Sequence, residues 1–135
     1  MKFKKQARKP GLSSSKLTSR KRALLAVEAG RAAKAIDPVA LRVGKLVDYT
    51  DYFVILSGES TVQVKAIFEK LRAMIHLTRS QPIGTEGEQE GRWVVVDWGD
   101  VVIHIFYKGL REFYDLEKLW ADAPRLKIPE PGRPK

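Results

Sequence analysis

Two apolar runs joined by Gly99-Asp100 constrain the fold of this sequence more than any other feature. They form the stretch GRWVVVDWGDVVIHIF, residues 91–106, which is dominated by β-branched and aromatic residues of high strand propensity. A two-residue connection that begins with Gly favours a type II′ hairpin turn. In that register Trp93 opposes Phe106. The stretch therefore predicts an antiparallel hairpin with two distinct faces.

Alternation of side chains along each strand assigns every hairpin residue to one face. The first face is wholly apolar and consists of Val94, Val96, Trp98, Val101, Ile103 and Ile105. We expect helices to cover it. The second face mixes aromatic residues with a carboxylate and an imidazole: Trp93, Val95, Asp97, Val102, His104 and Phe106. Two interpretations of this face stay open, the core of a partner interface or satisfied polar groups on a half-exposed sheet. A three-residue turn would pair the faces differently.

The other segments predict three helices and two strands outside the hairpin. We expect first a helix capped by Thr18 or Ser19 and running to about Lys34, then a short strand over residues 39–43 and a central buried strand over residues 51–58. A helix capped by Ser60 and running through Leu77 follows, and residues 81–91 are expected to be mostly polar loop. The hairpin comes next, and an amphipathic helix over residues 110–120 follows it. In the last helix one side is apolar and holds Phe113, Leu116, Leu119 and Trp120. This order predicts a single compact α/β domain with a mixed β-sheet packed by helices.

The positive charge of the chain is concentrated at its N-terminus. The net charge is +9, and residues 1–22 hold nine Lys and Arg residues and no acidic residue. We therefore divide the chain into a basic flexible arm over residues 1–17, a domain over residues 18–123, and a Pro-rich C-terminal tail over residues 124–135. The arm has three interpretations: a solvated tail, a contact to RNA, or an organelle presequence, although it lacks a clear amphipathic face. The RNA hypothesis involves Lys2, Lys4, Lys5, Arg8, Lys9, Arg20, Lys21 and Arg22.

Several classes of chemistry are disfavoured by the composition. The sequence has no Cys, which excludes disulfides, thiolate nucleophiles and Cys-ligated metals. No apolar run approaches the ~18 residues of a membrane span, and no signal peptide is evident, so we expect a soluble cytoplasmic protein, with an organelle matrix as the weaker alternative. The expected pairing points Asp97 and His104 outward and leaves Asp100 at the turn, which does not favour convergence on a metal ion. We expect no catalytic residues, no cofactor and no metal.

Two groups of segments together resemble the Iojap-related ribosomal silencing factors, the RsfS family. The first is DYFVILSG followed by Glu-Ser-Thr-Val-Gln and a helix. The second is EGEQEGRWVVVDWGDVVIHIF combined with REFYDLEKLW. The resemblance covers roughly residues 23–123. It implies an α/β domain related in shape to nucleotidyltransferases but without their catalytic residues.

The resemblance also implies a function in translation. Such factors bind the large ribosomal subunit through ribosomal protein L-fourteen, block joining of the small subunit, and repress translation when nutrients are limiting. Free members often form homodimers, and mitochondrial relatives act in assembly of the large subunit, which is the alternative function. Carried over by motif, the implied partner-binding residues are Trp93, Asp97, Asp100, His104, Phe106, Arg111, Tyr114 and Glu117.

The resemblance assigns these residues different tasks. Trp93 and Tyr114 are expected to be anchors that lose water on binding. The carboxylates of Asp97, Asp100 and Glu117 are expected to pair with basic groups of the ribosomal protein. We expect Arg111 to brace Asp115 one helical turn away rather than to contact the partner.

Overall fold

The computed structural model describes residues 17–129. This range contains four helices and five strands, in the order α1 Ser19–Ala32, β1 Ile36–Arg42, β2 Tyr52–Gly58, α2 Thr61–Leu77, β3 Gly84–Glu86, β4 Trp93–Asp97, β5 Val101–Tyr107, α3 Lys108–Tyr114 and α4 Leu116–Leu119. None of these helices is long and apolar enough to cross a lipid bilayer. The predicted α/β class is confirmed.

The two long helices begin where hydroxyl side chains cap them. Thr18 accepts a hydrogen bond from the backbone N–H of Lys21 at 3.1 Å, and Ser60 accepts one from Gln63 at 3.1 Å. Each bond satisfies one of the backbone donors that a helix start leaves without an intrahelical partner. Of the two candidate caps of α1, the structure selects Thr18, and the predicted cap Ser60 and the predicted end of α2 at Leu77 are confirmed.

The five strands form one mixed sheet in the order β1-β2-β5-β4-β3. The central strands β2 and β5 run parallel, whereas β1–β2, β4–β5 and β3–β4 are antiparallel pairs. Every residue of β2 is buried, as its unbroken apolar run predicts for a strand covered on both faces.

The hairpin has the predicted register. Trp93 pairs with Phe106 and Val95 with His104. The backbone N–H of Trp98 donates to the carbonyl of Val101 at 2.8 Å. Gly99 has φ +76°, the left-handed region that the first central position of a type II′ turn requires.

Two separate apolar cores lie on opposite faces of the sheet. The first core contains all six residues of the apolar hairpin face together with the buried sides of α1 and α2, which confirms the expectation that helices cover this face. The second core contains the hairpin residues Val95, Val102 and Phe106. They pack with Leu41 of β1, Val43 just after β1, and Phe53 and Ile55 of β2. This core is covered by Leu110 of α3, Leu116 of α4 and Trp120, which follows α4.

Two expectations about the elements were wrong. The polar segment 81–91 contains the short strand β3, which pairs with β4 at the edge of the sheet. The helix predicted over residues 110–120 is broken into α3 and α4, because Asp115 adopts a left-handed conformation with φ 46° and ψ 60°.

The Pro-rich segment after residue 123 forms no helix or strand up to residue 129, where the described residues end. Residues 124–129 continue to contact the domain. The backbone N–H of Arg42 donates to the carbonyl of Pro124, and that of Leu126 donates to Ala40, each at 2.8 Å. These bonds protect part of the exposed edge of β1.

Candidate functional site

An aromatic cluster lies on the second face of the sheet, where the hairpin meets α3. The indole of Trp93 stacks on Phe106 with ring centroids 4.9 Å apart and an interplanar angle of 27°. Tyr114 from α3 lies 4.9 Å from the same indole, at 41°. The strand register aligns Trp93 with Phe106, and the turn into α3 brings Tyr114 across them. Rings at these separations gain contact energy beyond the area they bury.

His104 lies inside this cluster and is tied to Trp93. The indole Nε1–H of Trp93 donates to Nδ1 of His104 at 3.1 Å. Phe53 meets the imidazole edge-on with centroids 5.3 Å apart. Burial lowers the pKa of His104 from 6.5 to about 4, because the apolar surroundings disfavour the imidazolium. The ring is therefore neutral near pH 7 and can accept the indole hydrogen bond.

The exposed part of the cluster comes from α3. Phe113 is 78% exposed and Tyr114 is 48% exposed, and their rings meet edge-to-face at 5.1 Å. Because Tyr114 also contacts partly exposed Trp93, the three rings are continuous. We refer to Trp93, Phe113 and Tyr114 as the aromatic surface. Contiguous exposed aromatic residues of this kind are typical of interaction sites.

The exposure of Phe113 was not predicted. The apolar spacing in residues 110–120 assigned Phe113 to the buried side of one continuous helix. The left-handed residue Asp115 ends α3 one residue after Tyr114, so Leu116 and Trp120 turn towards the second core while Phe113 stays outside. The sequence signal that could have revealed this is the Tyr-Asp-Leu-Glu stretch, since Asp115 also caps α4 through the backbone N–H of Lys118.

Arg111 holds the two short helices against the sheet. Its Nε and one terminal nitrogen donate to the two carboxylate oxygens of Glu117, both at 3.1 Å. The other terminal nitrogen donates to Ser57 Oγ at 2.8 Å and to the carbonyl of Ile36 at 3.2 Å. The expectation that Arg111 braces Asp115 is wrong, because the break at Asp115 brings Glu117 opposite the guanidinium. Glu117, expected to meet a partner, is held mainly within the chain.

Asp97 and Phe106 are interior residues, so the expectation that the second face is half exposed is wrong for them. Both have an exposed fraction of 0%. Asp97 Oδ1 accepts the backbone N–H of Gly99 at 2.9 Å and thereby supports the hairpin turn. The C-terminal helices and the following segment cover this face, which the hairpin pattern alone could not indicate.

Asp100 lies at the turn end of the hairpin, away from the aromatic surface. Val101 and Phe106 are five residues apart on β5, which spans about 17 Å at about 3.3 Å per residue. The carboxylate of Asp100 faces Arg22 at 3.5 Å. Asp100 and the aromatic surface therefore lie at opposite ends of the hairpin and do not form one site.

Arg22 is a structural residue, and its assignment as an RNA contact is wrong. Its exposed fraction is 5%, and its guanidinium lies 5.4 Å from the centre of the Trp98 ring. Arg20 and Lys21, in the first turn of α1, are exposed. The other predicted RNA contacts, Lys2, Lys4, Lys5, Arg8 and Lys9, lie outside the described residues. Within residues 17–129 no three His, Asp or Glu side chains are grouped so that they could hold a metal ion.

The fold and the site define a class: a single α/β domain with a five-stranded mixed sheet and an exposed aromatic surface that is hydrogen-bonded to a histidine. Residues 16–135 match the family model described as ribosomal silencing factor during starvation, RsfS. The chain belongs to this family of regulatory proteins. It is 40% identical over 104 residues to ribosomal silencing factor RsfS of Halalkalibacterium halodurans, covering 77% of this chain and 89% of that protein.

Two further relatives extend the comparison. The mouse protein named mitochondrial assembly of ribosomal large subunit protein 1 is 43% identical over 93 residues, which is 67% of this chain and 41% of the mouse protein. A crystal structure of a protein from Chromobacterium violaceum superposes with a TM-score of 0.76 at 31% identity, covering 84% of this chain and 92% of that one. The fold and family expected from the sequence motifs are confirmed.

Proposed function

We propose that this protein binds the large ribosomal subunit through ribosomal protein L-fourteen and sterically blocks joining of the small subunit in the cytoplasm. Translation is thereby repressed when nutrients are limiting. The observation that carries the proposal is the aromatic surface on a chain of the ribosomal silencing factor family. No chemical step is needed, because occupancy of the site by mass action sets the fraction of subunits that cannot join.

The geometry supports tight binding by the aromatic surface. Trp93 and Tyr114 are large side chains with few rotatable bonds, so their immobilisation on binding costs little conformational entropy. Trp93 is already supported by Phe106 from below and by Tyr114 at its side. A supported ring presents apolar area without reorganisation, which is the property of residues that dominate interface energetics.

We propose different tasks for the charged residues. Asp100, whose side chain is 31% exposed, meets a basic group of the partner at the turn end of the hairpin. Asp97 supports the hairpin turn. Arg111 and Glu117 together hold the C-terminal helices in place. Phe106 supports Trp93 from the interior.

The central experiment compares two exposed apolar residues on opposite faces of the sheet. Phe113 is 78% exposed beside the aromatic surface, and Leu77 is 81% exposed at the end of α2. Phe113→Ala should weaken cosedimentation with purified large subunits, whereas the control Leu77→Ala should not. Trp93→Ala should cost about 2 kcal/mol or more of binding if it is an anchor.

The same variants should be tested for inhibition of subunit joining at equal concentration. Loss of binding and of inhibition should follow the same order among the variants. If Trp93→Ala and Phe113→Ala still bind large subunits and block joining like the unmodified protein, the proposed surface is wrong.

A second candidate function is assembly of the large subunit. It is favoured by 43% identity to the mouse protein named for that process in mitochondria. The same aromatic surface would then bind precursors. Purification of the tagged protein from growing cells separates the two: mature large subunits support silencing, and precursors that lack late-binding proteins support assembly.

We further propose that the basic arm contacts ribosomal RNA beside the protein site. Exposed Arg20 and Lys21 place positive charge at the start of α1, next to the arm. If ~5 charges of the arm neutralise phosphates at a slope of about −0.7 each, a fourfold rise in salt weakens binding roughly a hundredfold. Deletion of residues 1–17 should flatten this salt dependence, and an unchanged slope would contradict the RNA contact.

The free protein is proposed to form a homodimer, as the family resemblance implies. The exposed apolar side chains of α3 and α4, which include Phe113 and Leu119, support self-association. Sedimentation equilibrium of the isolated protein tests this: a mass that stays at that of one chain across the accessible concentration range contradicts the dimer.

A further inference from the structure

The imidazole of His104 is partly buried among aromatic rings, one of which donates a hydrogen bond to it. On the inner side, Phe53 meets it edge-on at 5.3 Å and Phe106 lies nearly parallel to it at 6.2 Å. On the outer side, Trp93 donates its indole N–H to Nδ1 at 3.1 Å. His104 is opposite Val95, which lies two residues after Trp93 on the same face of β4, so the sheet register creates this diagonal contact.

The hydrogen bond defines the protonation state of the ring. An Nδ1 atom that accepts a hydrogen bond carries no proton, so the neutral ring has its proton on Nε2. Burial lowers the pKa of His104 to about 4, which keeps this form dominant near pH 7. A neutral imidazole cannot offer a cation to an acidic partner. Direct charge recognition by His104 is therefore disfavoured by its surroundings.

The contact has a consequence for Trp93. Trp93 begins β4 and is only partly buried, so its indole could otherwise rotate about its side-chain bonds. The bond to His104 selects one orientation, in which the ring stacks on Phe106 and contacts Tyr114. It also satisfies the indole donor within the protein, so the partner does not need to supply an acceptor.

We infer that His104 is a positioning residue of the aromatic surface: through Nδ1 it fixes the indole of Trp93 in the orientation that receives an apolar group of the ribosomal partner. This inference rests on the proposed function and deepens it. His104 acts before binding, by removing alternative orientations of Trp93 from the free protein. Affinity gained in this way comes from pre-organisation and requires no contact between the imidazole and the partner.

Two substitutions separate the acceptor from the bulk of the side chain. His104→Asn places an amide oxygen near the position of Nδ1 and can keep the bond, whereas His104→Leu fills space without an acceptor. The first readout is the Trp93 indole N–H resonance in ¹⁵N-labelled protein, assigned by its absence in Trp93→Phe. We expect slow solvent exchange of this proton in the unmodified protein and in His104→Asn, and fast exchange in His104→Leu.

The second readout is affinity for purified large ribosomal subunits. His104→Leu should weaken binding about fivefold to tenfold, in line with the loss of one hydrogen bond, and His104→Asn should stay within about twofold. Trp93→Phe removes the donor instead of the acceptor. In that background His104→Leu should cause no further loss, because the bond is already absent.

The cycle separates a positioning role from a general structural role. Equal losses from His104→Leu in both backgrounds would overturn the inference, since they would not pass through the Trp93 bond. If His104→Leu does not fold, fast indole exchange and full affinity in His104→Asn would equally overturn it. Failure of the unmodified protein to bind large subunits would reject the proposed function, while the indole exchange rates would still report whether His104 orients Trp93.

Discussion

The two faces of the sheet are covered in different ways, and the difference separates stability from recognition. The first face is aliphatic and is covered by α1 and α2, which are 14 and 17 residues long. The second face is aromatic and polar and is covered by α3 and α4, which are 7 and 4 residues long. Long amphipathic helices exclude water along whole strands. Short helices leave aromatic rings at the surface, where a partner can complete their burial.

The largest expected effect is on the aliphatic face. Ile103 has an exposed fraction of 0% in the first core, and Ile103→Ala should lower the free energy of unfolding by about 2–5 kcal/mol. Urea unfolding followed by circular dichroism measures the change. Val62→Ala is the control, because Val62 is 76% exposed on α2 and should change stability by less than about 0.5 kcal/mol. Similar losses in both variants would contradict the assignment of this face as the main core.

The aromatic face should make stability depend on pH through His104. The folded protein keeps this ring neutral until the pH approaches its lowered pKa of about 4, whereas the unfolded chain takes up the proton near 6.5. The unfolded state therefore binds more protons between these values, and stability falls as the pH decreases from about 6.5 to about 4. His104 should therefore account for a decrease of about 3 kcal/mol in the free energy of unfolding over this pH range.

The variant His104→Phe isolates this contribution. Its unfolding free energy should lose that part of the pH dependence. A His104→Phe protein whose stability falls with acid as steeply as the wild type would show that the imidazole is not the source.

The arginine–glutamate ion pairs on the helices of the two faces should contribute different amounts to the free energy of unfolding. Arg111 pairs with Glu117 at 3.1 Å with 10% and 21% of the two side chains exposed, whereas Arg72 pairs with Glu69 at 2.6 Å with 59% of each exposed. Arg111→Met should cost about 2 kcal/mol, because buried hydrogen bonds to charged groups are lost. Arg72→Met should cost less than about 0.5 kcal/mol, since water solvates that pair. Equal costs by chemical denaturation would contradict the shielding of Arg111.

The smallest expected effect concerns the break between α3 and α4. Asp115 has φ 46° and its carboxylate accepts the backbone N–H of Lys118 at 3.3 Å. Asp115→Asn should change stability by less than about 0.5 kcal/mol, because Asn tolerates this conformation and caps helices equally well. Asp115→Ala should cost about 1 kcal/mol, since it loses the cap and keeps the strained backbone. A more stable Ala variant, detected by thermal unfolding, would indicate that the helix prefers to continue.

Prediction from the sequence succeeded where a local pattern decides the structure. The register of Trp93 with Phe106 follows from the two-residue turn, and the caps at Thr18 and Ser60 follow from side-chain chemistry next to helical spacing. It failed at β3, because three residues are too few to show a strand period. It also failed for Phe113, because helical spacing assumes a continuous helix and does not reveal a left-handed residue at Asp115.

The candidate site was predicted in part for the same reason. Trp93 and Tyr114 were named from the family motif, and they are in contact at 4.9 Å. Asp97 and Phe106 were expected at the surface because the hairpin pattern shows which face a residue is on and not what covers that face. Arg111 was assigned the nearer acid in sequence, whereas its partner is Glu117, brought opposite by the break in the helix.

By itself the sequence determined the α/β class, the hairpin with its two faces and the concentration of positive charge before residue 23. These properties depend on alternation, turn chemistry and charge, which act between neighbours along the chain. Only the tertiary structure decided that the second face is a core, that His104 is neutral and bonded to Trp93, and that Phe113 stays outside. Burial and protonation depend on which distant segments come together, and here the docking of residues 108–129 onto the sheet made that decision.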